Sequence, residues 1–118
     1  MTDNNGQIIK SLKKAVAGLL LMSESDYPFE VIRWEASTKI TSDFLRSITG
    51  ETKECPVQEL EVEQVLSSGR YRPVLLILQT HLSNVRAYKV GRINMPVYLV
   101  GRASDGSWVG LATRVVET

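Results

Sequence analysis

The chain of 118 residues contains a single cysteine, Cys55, and a single histidine, His81. One cysteine rules out an intrachain disulfide, and together the two residues are too few for a Cys/His zinc site. They would also have to supply any Cys–His nucleophile pair alone, and no oxyanion-hole motif accompanies them, so catalysis by that pair is rejected. Gly-rich phosphate loops are missing too: the glycines of "VGRI" and "VGRA" stand singly in strand-like runs, where they mark bulges or close packing. Charge of one sign is not in excess. The formal net charge is +1, unlike the clearly basic balance of a dedicated nucleic-acid binder. No apolar run reaches bilayer-spanning length, and "LLLM" lies too far in to be a secretory leader. These absences leave a non-enzymatic, cytoplasmic, single-domain protein with no membrane or nucleic-acid partner and no cofactor of its own as the expectation.

At 43% hydrophobic residues the chain has enough apolar side chains for one core, and residues 1–118 are read as one domain. Ile8, Ile9, Leu12, Ala15, Val16, Leu19 and Leu20 recur at helical spacing, which predicts a helix over 7–20 that Gly18 interrupts without ending. Lys10, Lys13 and Lys14 lie off that stripe, on a solvated face. "EVIRWE" (30–35) alternates as a half-buried strand. Thr41 to Ile48 reads as a short helix with Thr41 or Ser42 as N-cap and Gly50 as stop. "VQELEV" (57–62) reads as a strand running into a helical turn, and "SSGRYRP" (67–73) as a loop. Pro73 suits the first turn of a helix carrying Val74, Ile77, Leu78, Leu82 and Val85, although "VLLIL" also fits a buried strand. The runs "AYKVGRI", "PVYLVGRA" and "SWVGLATRVVE", with "SDG" as a hairpin turn, predict a C-terminal β-meander. The fold class is therefore α+β: a single-domain sandwich on a mainly antiparallel sheet.

Two polar features are not explained by folding. The stretch "MSESDYPFE" (22–30) sets Glu24, Asp26 and Glu30 directly after an apolar helix. A helix C-terminus disfavours negative charge, so stability does not account for these acids. Glu24 and Asp26 lie in a short loop among serines, without the walled pocket that a catalytic carboxylate pair needs. At the other end, "VVET" brings together the Glu117 carboxylate, the Thr118 hydroxyl and the Thr118 α-carboxylate, oxygen donors of the kind hard divalent cations prefer. "GRYRP" offers Arg70 and Arg72 around Tyr71, the chemistry of base stacking, in one loop without a basic stripe.

The blocks "GLLLMSESDYPFEVIRWEAS" and "YKVGRINMPVYLVGRASDGSWVGLATRVVET" resemble the nuclease A inhibitor family. The resemblance implies an α-β-α sandwich. It also implies inhibition of a sugar-non-specific endonuclease that carries Mg or Mn in its active site. By the same resemblance, Glu24 is the acidic-loop glutamate that enters the nuclease, and Thr118 is the terminal threonine that reaches its metal. Ser23, Glu24, Ser25, Asp26, Glu117 and Thr118 are then the partner-binding set, in a monomer or 1:1 complex. Glu24, Asp26, Glu30 and Glu35 stand against Arg33 alone over 22–35, so this pole is acidic. Between about residues 55 and 75 the chain is shorter than the family pattern and basic, which leaves Tyr71, Arg70 and Arg72 to replace contacts made there. Two alternatives remain: a protein-binding module of the same fold with a non-nuclease partner, and a nucleic-acid binder using "GRYRP" and the Lys10–Lys14 face.

Overall fold

The computed structural model describes residues 4–22 and 25–117, with side chains from residue 6 onward. Helix α1 (Asn4–Val16) buries Ile8, Leu12 and Val16, one position per turn, and leaves Lys10, Lys13 and Lys14 exposed. The helix is shorter than its apolar stripe suggests. Gly18 adopts φ 72°, the left-handed conformation that ends helices, and Leu19 N–H donates to Val16 C=O. Leu20 and Leu21 therefore leave the helix and form β1 (Leu20–Leu21), which pairs antiparallel with β2 (Tyr27–Pro28). Helical spacing alone does not separate a helix end from a following two-residue strand of leucines.

Strand β3 (Glu30–Trp34) follows, and then α2 (Ser42–Thr49). The caps of α2 are those read from the sequence: the Thr41 hydroxyl accepts from Phe44 N–H, and Gly50 N–H closes on Arg46 and Ser47 carbonyls. Strand β4 (Val57–Leu60) runs into α3 (Val62–Val65), again as expected. The stretch read as a loop over 67–73 is more ordered than that. A 3-10 turn (Gly69–Tyr71) feeds directly into α4 (Arg72–His81), with Pro73 in its first turn. "VLLIL" is helical. Leu82 and Val85 fall beyond α4, because the chain turns extended at Leu82 and enters β5 (Ser83–Val90).

Strands β6 (Asn94–Arg102) and β7 (Trp108–Val116) complete the meander. Their hairpin is held by the Asp105 carboxylate, which accepts from the Ser107 N–H and hydroxyl. Gly91 lies in the β5–β6 turn rather than inside a strand. Gly101 is a close-packing site in β6, since a Cβ there would come within 2.7 Å of Val85 and 2.9 Å of Leu82. The sheet order is β3-β7-β6-β5-β4, antiparallel throughout.

Alternation along the strands builds two cores. Val97, Leu99, Val109 and Leu111 face α1 and α4 in the larger one. Tyr98, Tyr88, Trp34 and Val90 face α2, where Leu45 and Phe44 close the smaller one. Trp34 meets Phe44 edge-on and Tyr98 at a tilt. The result is the expected α-β-α arrangement, with two helices on one side and one on the other.

Candidate functional site

The acidic stretch forms the tip of the β1–β2 hairpin, since Leu21 pairs with Tyr27 and Leu20 with Pro28. Ser23 and Glu24 lie outside the described residues. Ser25, Asp26 and Glu30 are exposed. The hairpin is fastened to the sheet through β2: the Thr113 hydroxyl donates to Pro28 C=O at 2.9 Å. Register then decides where this loop points. Glu30 pairs with Ala112, and β3 runs antiparallel to β7. The chain traced from Glu30 through Pro28 toward Asp26 thus follows β7 forward, toward Val116. The acidic loop and the end of β7 emerge at one end of the sheet.

At that end the chain is held up to Glu117. Val116 pairs with Asn94, and Glu117 N–H donates to Ile93 C=O at 2.9 Å. Lys89 donates from Nζ to the Glu117 carboxylate at 2.9 Å, with only 17% of the lysine side chain exposed. Thr118 lies outside the described residues. Glu35 does not belong to this acidic pole. It follows β3 at the opposite end and pairs with Arg33, which also approaches Asp105.

The other chemistry-bearing residues do not converge. Cys55 is buried beside Leu45 and Val90 in the smaller core, and His81 is exposed at the end of α4, over the opposite face of the sheet. Burial pushes the Cys55 thiol above its ordinary range, with Glu51 adding to the shift. Tyr71 is 3% exposed, so it is no stacking platform, and it does not offer a nuclease the surface aromatic expected of the shortened segment. Arg70 and Arg72 on either side of it are exposed. Among the described residues no three His, Cys, Asp or Glu come together to hold a metal, and no helix is long and apolar enough to cross a membrane.

A family model described as nuclease A inhibitor-like protein (NuiA) matches residues 6–69 and 64–118. The chain belongs to the nuclease A inhibitor-like family. Membership implies a nuclease inhibitor that binds its target as a protein partner, rather than an enzyme, and the family carries no cofactor. A search of curated proteins returned no significant match. Within this NuiA-type fold, sequence reasoning found the loop and the chain end. It missed what holds them: the β1–β2 hairpin, Tyr71 beneath the hairpin, and Lys89 beside Glu117. Only the odd placement of a tyrosine between two arginines hinted at Tyr71.

Proposed function

We propose that the chain inhibits a sugar-non-specific, divalent-metal-dependent endonuclease by occluding its active site in two places at once. Glu24 enters as a phosphate mimic and accepts a charge-assisted hydrogen bond from an active-site arginine, a geometry that favours bidentate contact. Thr118 supplies oxygen to the Mg or Mn ion that such a nuclease uses to stabilise its attacked phosphodiester. Ser23, Ser25 and Asp26 complete the loop contact, and Glu117 adjoins the metal-directed end. Asp26 and Glu30 add negative potential that steers association with a basic, metal-bearing cleft. The complex is 1:1.

The observation that best supports this reading is the β3–β7 register. It brings the chain leading out of the acidic loop alongside the last paired residues of β7. A two-part plug requires both parts at one end of the molecule, and this register is compatible with that requirement.

Titration of a purified endonuclease of this class with the chain is expected to abolish DNA cleavage at stoichiometric inhibitor. Glu24→Ala, and separately deletion of residues 117–118, are each expected to weaken inhibition by about 30-fold or more, the loss typical of an interface hot spot. The circular dichroism spectrum should stay unchanged. Full inhibition by the truncated chain would refute the C-terminal half of the plug.

A further inference from the structure

The sequence presents Tyr71 as an aromatic between two arginines. The fold instead turns it inward, and its contacts lead to the acidic loop 22–26. The Tyr71 hydroxyl donates to Leu20 C=O at 2.8 Å and accepts from Met22 N–H at 3.0 Å. Its ring meets Phe29 edge-on, with centroids 6.0 Å apart and planes at 70°. One side chain therefore touches both legs of the hairpin: β1 and the residue after it on one side, and the residue after β2 on the other.

Strand geometry gives this contact its meaning. On an extended chain the C=O of one residue and the N–H two residues later point to the same edge. A neighbouring strand ordinarily satisfies both. At the edge of β1 away from β2 a single phenol does so, bonding the Leu20 carbonyl and the Met22 amide together. The β1–β2 ladder is two residues per strand, far too short to hold itself in water. Tyr71, by contrast, is rigidly placed. It ends the 3-10 turn at the start of α4, its own N–H donates to Ser68 C=O, and α4 packs on α1 in the larger core.

We propose that Tyr71 is a positioning residue for the inhibitory loop. It fixes the direction in which the chain leaves Met22, and so the placement of Ser23 and Glu24, without itself touching the nuclease. The proposal rests on the plug reading for its link to inhibition, but the clamp on the loop is measurable in the isolated chain.

The test is Tyr71→Phe, which keeps the ring and its Phe29 contact and removes only the hydroxyl. Amide hydrogen exchange at Met22 is expected to accelerate at least about tenfold, the scale of one hydrogen bond removed, with exchange in β6 and β7 unchanged. The inhibition constant is expected to rise about tenfold. In a Glu24→Ala background the same substitution should add almost nothing, because both changes act through one loop. Removing the hydroxyl of a tyrosine that mattered only for packing would neither speed exchange at Met22 nor couple to Glu24. Unchanged exchange at Met22, or full additivity of the two substitutions, overturns the proposal. If the unmodified chain fails to inhibit the nuclease, the plug reading falls, and exchange at Met22 alone decides the clamp.

Discussion

Replacing Lys89 with methionine asks whether Glu117 acts through its tether or by touching the nuclease. Methionine keeps most of the apolar stem and removes the charge that lies 2.9 Å from the Glu117 carboxylate. The expected size follows from exposure. Two unit charges about 4 Å apart attract by roughly 1 kcal/mol in water and roughly 4 kcal/mol near a protein surface. Measured exposed pairs return only about 0.2–1 kcal/mol after entropy and screening. Lys89 is mostly covered and Glu117 is 56% exposed, so about 1 kcal/mol is the reasonable figure. That corresponds to about a fivefold weaker inhibition constant, provided the pair serves to hold Thr118 in line with β7. The assay is cleavage of a DNA substrate at rising inhibitor concentration, for the parent, Lys89→Met, Glu117→Gln and the double variant. If the tether is the whole effect, the three variants should be equally weakened, and raising salt from about 0.05 to 0.5 M should bring the parent toward them. Loss of inhibition in Glu117→Gln with none in Lys89→Met would refute the reasoning and make Glu117 a direct contact.

Two further expectations concern the scaffold. Gly110→Ala should destabilise the chain by about 3 kcal/mol or more, because an added Cβ would lie 1.8 Å from the Leu99 carbonyl oxygen in the middle of the sheet; a thermal melt checks this, and an unchanged midpoint refutes it. The Cys55 thiol, raised by burial and Glu51, should alkylate at pH 8 at least about tenfold more slowly than free cysteine, since the thiolate is the reactive form. The same shift sets a sign for stability: the unfolded chain loses this proton first, so stability falls as pH rises past the ordinary thiol range.

Most of the framework was legible in the sequence because the signals were local. Thr41 and Gly50 bracket α2 by side-chain capping and a left-handed stop, and "SDG" makes its own hairpin. The errors arose where a residue's state depends on distant partners. Leu19 and Leu20 continue the stripe of α1, but Gly18 and the pairing of β1 with β2 take them out of it. Val85 matches the period of α4, yet lies in β5. For the site, composition marked the acidic loop as unexplained by folding, and the resemblance supplied its meaning. Neither shows that the Tyr71 hydroxyl reaches back some fifty residues to Leu20 and Met22. Such contacts follow from the packed fold and leave no spacing to read.

The sheet order also sets a sequence of events. Strand β3 has one neighbour, β7, and the pairing of Glu30 with Ala112 spans most of the chain. The meander β5–β6–β7 closes through short turns and assembles from local contacts, whereas docking β3 requires a long loop to close first. Strand β3 is thus expected to join last during folding and, as an edge, to peel away first during native-state fluctuation. Because β3 follows directly on the acidic hairpin, each such opening disarms the loop while the meander stays intact. The working lifetime of the inhibitory surface is then set by the detachment of one edge strand and not by global unfolding.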